Sequence, residues 1–198
     1  MNTNGGATLV VQNDNKKINT NTTKVVSPKR VALPHINMVG YYQFVTFRTF
    51  DSLDDYLLRI SNEDISTKLK QYKIDKYLDS SLKGNYLNDE VLDYLKSFFL
   101  SKDKTLYELV CFSIMPNHIH ILFKQNKELS KIIQVLKGSS SMQINNMLNC
   151  KDRFWEKGYF DKVIRDEEHF ITTYEYIKYN PIKANLKDFK SRFYGIYE

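Results

Sequence analysis

From Thr105 to Lys124 the chain reads TLYELVCFSI, then MPN, then HIHILFK. Two apolar runs rich in β-formers, joined by so short a connection, predict a pair of antiparallel strands with a tight turn between them. Alternation puts Ile119, Ile121 and Phe123 on one face of the second strand and His118, His120 and Leu122 on the other. Two imidazoles therefore project together just past the turn. They do so in an apolar stretch, where an unpartnered imidazole is costly to bury.

The remaining segments supply layers for such a hairpin. GYYQFVTFRTF (residues 40–50) predicts a central strand with both faces covered. The pattern between Asp51 and Leu87 is charged and irregular, with helical pieces at DDYLLRI and ISTKLKQYKIDKYL. NDEVLDYLKSFFL predicts a helix capped by Asn88, with Asp89 and Glu90 in its first turn and Val91, Leu92, Leu95, Phe98 and Phe99 at helical spacing. ELSKIIQVLKGSSSMQINNML predicts a second helix buried through Ile132, Ile133, Leu136, Ile144 and Leu148, with Gly138 and the three serines as candidate interruptions. RFWEKGYFDKVIR ends in a short strand, and DEEHFITTYEYIKYNPIKANL predicts a third helix stopped by Pro181. The succession implies an α+β sandwich: a mainly antiparallel sheet with helices packed on it.

Length and composition are consistent with one main domain over residues 31–198, preceded by a flexible basic tail over residues 1–30. No run of about 18 apolar residues and no signal-peptide pattern occurs, so a soluble, cytoplasmic protein without membrane contact is expected. Cys111 and Cys150 lack zinc or CxxC spacing and read as reduced thiols. The net charge is +6 and unevenly spread: nine Lys/Arg face four Asp/Glu from Lys124 to Arg165. Such a stretch is either a solvated surface or a footprint for a polyanion, nucleic acid first.

Two side chains at i and i+2 on a strand stand roughly 6.5–7 Å apart at Cα, a span over which both rings can tilt onto one metal ion. The pair is equally readable as two histidines satisfied by backbone or water. In TTYEYIKYNP, Tyr176 and Asn180 are four residues apart and share a helix face, while Phe170, Tyr174 and Ile177 take the core side, so Tyr176 is expected to point outward with Asn180. Of the three tyrosines, only Tyr176 has a potential ligand at i+4. Aromatic packing alone also accounts for three tyrosines on one helix.

SIMPNHIHILFK, RFWEKGYFDKVIRDEEHF and YEYIKYNPIKANL, in that order after YYQFVTFR, resemble the REP-associated tyrosine transposases, members of the single-tyrosine branch of the HUH endonucleases. The resemblance covers about Pro34 to Leu186 and implies a ferredoxin-like HUH sandwich. It implies His118 and His120 as metal ligands, Asn180 as the third ligand in a place where related enzymes often carry Gln, and Tyr176 as nucleophile. The cofactor it implies is Mg²⁺ or Mn²⁺, whereas imidazole chemistry alone would also admit Zn, Ni or Co. The activity implied is nicking and rejoining of single-stranded DNA beside a hairpin through a 5′-phosphotyrosine, by a monomer or homodimer. Arg48, Lys131, Lys137, Lys151, Arg153, Lys157, Lys162 and Arg165 then become candidates for following phosphates, and Tyr159 or Trp155 for stacking on bases. A binding protein that has lost cleavage and a water-using metal hydrolase are the alternatives.

Overall fold

The computed structural model describes Met1, residues 35–52 and residues 55–198. The tail expected over residues 1–30 therefore lies almost wholly outside the described residues. In chain order the elements are β1 (Tyr42–Arg48), α1 (Asp55–Asn62), α2 (Thr67–Ser80), α3 (Asp89–Ser101), β2 (Tyr107–Ile114), β3 (His118–Gln125), α4 (Leu129–Met147), β4 (Phe160–Val163), α5 (Glu167–Lys183), α6 (Phe189–Arg192) and β5 (Phe193–Gly195). The five strands form one sheet in the order β4-β1-β3-β2-β5, with every neighbouring pair antiparallel. This is the α+β sandwich expected. No described helix is long and apolar enough to cross a membrane.

Period-two alternation sorts the sheet into two cores. Val45, Phe47, Ile119, Ile121 and Phe123 face α3 and α4 and are buried with Leu95, Phe99, Ile132, Leu136 and Trp155. Phe44 and Leu122 face the other way, against Tyr174 and Ile177 of α5. A register shift between Leu109 and Cys111 makes Val110 an extra residue in β2, so both Val110 and Cys111 turn toward the α5 side. At the far edge, β5 passes so close to α5 that a Cβ on Gly195 would meet the Tyr174 hydroxyl at 2.1 Å. Only glycine leaves room for that approach.

Three local expectations are corrected. Helix α4 is continuous through Gly138 and Ser139–Ser141, because the Ser140 hydroxyl back-bonds to the Leu136 carbonyl and accepts from Trp155 Nε1 at 2.9 Å. Leu148 is exposed, as it follows the last helical residue. Asn88 precedes α3 but makes no side-chain cap; its Oδ1 accepts from Arg192 Nη2 at 2.6 Å and its amide donates to Asn85. Arg192 is itself buried, giving Nη1 to the carbonyls of Leu87 and Ile114 (3.0 and 2.9 Å) and pairing with Asp188. This guanidinium ties α6 to the end of β2, next to the turn that precedes His118.

Candidate active site

Met115 N donates to His118 O at 2.8 Å, closing β2 and β3 around a two-residue loop, Pro116–Asn117. Outside donors satisfy the loop: Leu87 N reaches Pro116 O and Thr49 N reaches Asn117 O, both at 2.9 Å. The Asn117 side chain is buried, and its Nδ2 lies 3.1, 3.1 and 3.2 Å from the carbonyls of Leu78, Ser81 and Lys83. Carbonyls only accept, so the amide has one allowed orientation. Its Oδ1 then faces His118 Nδ1 at 2.8 Å, and that nitrogen must carry the proton. The lone pair of His118 is thereby assigned to Nε2. Gly84 belongs to the same clasp: its φ of +67° and a virtual Cβ only 2.2 Å from Thr49 Oγ1 leave no space for a side chain.

His120 is held by Thr46 Oγ1, 2.8 Å from Nδ1. A hydroxyl can donate or accept, so this tautomer is free to follow whatever sits at Nε2. The two Nε2 atoms are 3.0 Å apart, both rings have no exposure, and they meet nearly edge to face. Burial holds both imidazoles neutral: His118 is pushed well below its ordinary value, and His120 down to about 3. Neutral imidazole is the form that binds metals.

The arrangement fits a divalent ion. Adjacent ligands of an octahedron with bonds of ~2.1 Å are about 3.0 Å apart, the separation of the two Nε2 atoms. Two unpaired buried polar groups lie close by, the Asp79 carboxylate 3.6 Å from His118 Nε2 and the Asn180 amide on α5. Asn180 is 2 % exposed, and its Nδ2 has no hydrogen-bond partner. A buried N–H left unpaired in this way is unfavourable, and a half-turn of the amide would put Oδ1, an acceptor able to meet a cation, in its place.

Helix α5 is capped by Asp166, whose Oδ1 accepts from His169 N at 2.7 Å, with Glu167 and Glu168 in the first turn. It continues through Pro181 to Lys183, contrary to the expected stop at the proline. Pro181 sits in the last turn, where its ring withdraws one donor, while Ala184 N still reaches Asn180 O at 3.0 Å and Leu186 N reaches Pro181 O. Asn180 consequently stays helical and keeps the face of Tyr176. That face does not point outward. The Tyr176 ring lies 5.2 Å from His120 and 5.9 Å from Phe44, centroid to centroid, and its hydroxyl donates to Asp75 Oδ2 at 3.0 Å.

Asp75 and Asp79 come from α2, a segment to which sequence reasoning assigned no chemistry. Burial pushes Asp75 up to about 6, against the pull of Tyr176, Gln71 and Arg48. Asp79 rises to about 7 through burial and then the nearby Asp75 charge. Its Oδ1 has no hydrogen bond and stands 3.6 Å from His118 Nε2. The Tyr176 phenol is pushed well above its ordinary value, first by burial and then by Asp75. The available signal was spacing: Gln71, Asp75 and Asp79 recur every four residues beside the apolar Ile74 and Leu78.

The cationic candidates scatter. Arg48 ends β1 opposite His118, and its charge acts on both Asp75 and His118. Lys137 Nζ lies on the carbonyls of Glu156, Lys157 and Gly158, which makes it a latch for that loop. Lys151, Arg153 and Lys157 are exposed along the connection from α4 to β4, with the Arg153 guanidinium 5.1 Å over the Phe50 ring. Lys131 is exposed on α4. Lys162 and Arg165 are exposed, and Lys162 is lowered by burial and then by the charges of Arg165 and Lys68, which marks one positive neighbourhood. Trp155 is buried against Phe47 and Phe154 and is a core residue, so stacking on a base is ruled out for it. Tyr159 stacks on His35 at 4.0 Å.

The turn supplies a direct test of how the histidines are oriented. Asn117→Ala strands three carbonyls and the His118 N–H, and is expected to cost about 3 kcal/mol in a denaturant melt. Affinity for Mn²⁺ is expected to fall about 10- to 100-fold by calorimetry, even though no proposed ligand has been removed.

Known proteins resemble parts of this chain. A "Putative REP-associated tyrosine transposase" of Haemophilus influenzae is 25% identical over 111 residues, covering 50% of this chain and 63% of that protein. The matched segment thus spans under two thirds of that relative's length. Among solved structures, a REP-associated tyrosine transposase bound to a REP hairpin is similar at a TM-score of 0.43 and 15% identity, over 76% of this chain and 72% of that one. A Deinococcus radiodurans crystal structure is similar at 0.41 and 16% identity, over 74% of this chain and 93% of that one. The profile of the family described as "Transposase IS200 like" matches residues 69–180, from α2 to Asn180. Because that match takes in more than half of its residues, with the paired histidines and Tyr176 inside it, the chain belongs to the IS200-like transposase family.

Proposed function

We propose that the protein is a metal-dependent single-strand DNA transesterase that nicks and rejoins DNA beside a hairpin, with Tyr176 as its nucleophile. The observation that carries the reading is the convergence of two Nε2 atoms 3.0 Å apart with the Tyr176 ring packed on His120 and Asn180 one turn further along α5. In this reading His118, His120 and the Asn180 amide hold Mg²⁺ or Mn²⁺. A bound divalent ion would supply Lewis-acid withdrawal of charge from a phosphate oxygen. The chain's own residues do the rest. Tyr176 Oη attacks phosphorus in line and becomes a 5′-phosphotyrosine, leaving a free 3′-hydroxyl. The phosphodiester energy stays in the covalent bond, so a 3′-hydroxyl can reverse the step without ATP.

Phe44, stacked against His120 and edge-on to Tyr176, keeps the phenol in place, and α2 covers its hydroxyl through Asp75. Histidines and tyrosine meet within one chain, so this chemistry needs no exchange of α5 with a second copy. The exposed cations at 151, 153, 157, 162 and 165 are assigned to phosphates of the single strand.

The test is incubation with labelled single-stranded hairpin oligonucleotides and Mn²⁺ or Mg²⁺, resolved on a denaturing gel. A labelled protein band that vanishes with chelator is the expected result. Cleaved DNA without a band would identify a water-using hydrolase instead. Binding with no cleavage, over a panel containing the REP-type hairpins of related proteins, would identify an inactive binder.

A further inference from the structure

A phenol that donates to a buried carboxylate is already at the starting geometry for proton transfer. We propose that Asp75 takes the proton from Tyr176 during strand cleavage and returns it during rejoining. This inference rests on the reading of Tyr176 as the nucleophile. It adds a base from α2, an element outside both the hairpin and the tyrosine helix.

Four observations support it. Tyr176 Oη lies 3.0 Å from Asp75 Oδ2, inside the reach a general base requires. The other carboxylate oxygen accepts from Gln71 Nε2 at 2.7 Å, one turn earlier on α2, which fixes the rotamer and aims Oδ2 at the phenol. Asp75 is only 8 % exposed, so water competes poorly for that oxygen. The end of α2 is clasped by Asn117, which carries the same turn as His118, so base and histidines share one rigid mount. The charged groups around Asp75 are Arg48 from β1 and Asp79 one turn along α2. Burial raises the carboxyl to about 6, close to the working range of an acid that must also give its proton back.

The step balances. Tyr176 Oη forms its bond to phosphorus as its proton passes to Asp75 Oδ2. The phosphorus–O3′ bond breaks with its electron pair on O3′, which takes a proton from solvent to become the 3′-hydroxyl. Asp75 is then a neutral acid beside the new phosphotyrosine, avoiding repulsion between two anions at close range. In rejoining, a 3′-hydroxyl releases its proton to solvent as it attacks phosphorus, the phosphorus–Oη bond breaks, and Asp75 reprotonates Oη.

The experiment compares wild type, Asp75→Asn, Asp75→Ala and Tyr176→Phe under single-turnover conditions on a labelled hairpin oligonucleotide with saturating Mn²⁺. Adduct formation is timed, and oligonucleotide affinity is measured on the same preparations. Asp75→Asn keeps size and a hydrogen-bond acceptor, and its adduct rate is expected to fall about 10²- to 10⁴-fold with affinity within about threefold of wild type. Formate or acetate should restore part of the Asp75→Ala rate in proportion to its concentration, where chloride at equal ionic strength does not, and should do nothing for Tyr176→Phe. An Asp75→Asn rate within about threefold of wild type overturns the proposal. So does a loss in both variants that added carboxylate never rescues, which would make Asp75 a positioning residue. If Asp75→Ala fails to fold, the near-isosteric Asp75→Asn decides. A wild type that forms no adduct refutes the transesterase reading and this inference together, whereas a Tyr176-dependent adduct with undiminished Asp75→Asn refutes the inference alone.

Discussion

Tyr176→Phe is expected to abolish the covalent protein–DNA adduct and to lower strand cleavage by about 10⁴-fold or more, because no other side chain stands where its oxygen does. The substitution removes one oxygen and leaves the ring against His120 and Phe44, so the sheet and α5 should hold. Asp75 loses a hydrogen-bond donor in a desolvated position, a cost of about 1–2 kcal/mol, which sets the limit on any drop in the melting temperature. Oligonucleotide affinity should be nearly unchanged. Tyr174→Phe and Tyr179→Phe serve as controls from the same helix. Tyr174 gives its hydroxyl to Glu198 at 3.3 Å, and Tyr179 is 43 % exposed. Both variants should keep the adduct, and an adduct that survives Tyr176→Phe would reassign the nucleophile.

His118→Ala and His120→Ala are each expected to eliminate metal-dependent cleavage, by about 10³-fold or more, and to remove most of the affinity for Mn²⁺ measured by calorimetry. Their effects on the metal-free protein should differ. His118→Ala leaves Asn117 Oδ1 without its donor in a site of no exposure. His120→Ala opens a cavity under Phe44 and Tyr176, and the looser phenol should follow. In wild type an ion between the rings would replace the Nε2–Nε2 hydrogen bond and bind only the folded protein, so added Mn²⁺ should raise the melting temperature, and neither variant should respond. A wild-type melting curve indifferent to Mn²⁺ and Mg²⁺ at millimolar concentration would remove the metal from the mechanism.

Much of this site was readable before any fold was known, and the readable parts share a cause. The hairpin, the facing of His118 with His120, and the i, i+4 relation of Tyr176 to Asn180 all follow from backbone periodicity, which needs no distant contact. What misled was local chemistry applied where tertiary contacts override it. Pro181 reads as a stop, yet in a last turn it removes a single bond and the helix passes it. Asn88 reads as a cap, but its side chain serves Arg192, which is 104 residues away. The serines after Gly138 read as a break; burial of Ser140 under Trp155 turned one of them into a helix-compatible hydrogen bond.

The sequence by itself determined which residues share a face: two imidazoles on one strand, and a phenol and an amide on one helix. It could not say that these faces meet, since nothing in a periodic pattern tells a helix which side of a sheet will cover it. Only the tertiary structure decided that Tyr176 turns inward onto His120. It also decided that a polar stripe on α2, resembling any solvated helix surface, is folded over the phenol to give Asp75 a partner 101 residues away. The physical reason is burial. A carboxylate, an amide and two imidazoles acquire unusual protonation or unpaired polar atoms only once separate segments have excluded water from them, and that exclusion belongs to tertiary packing.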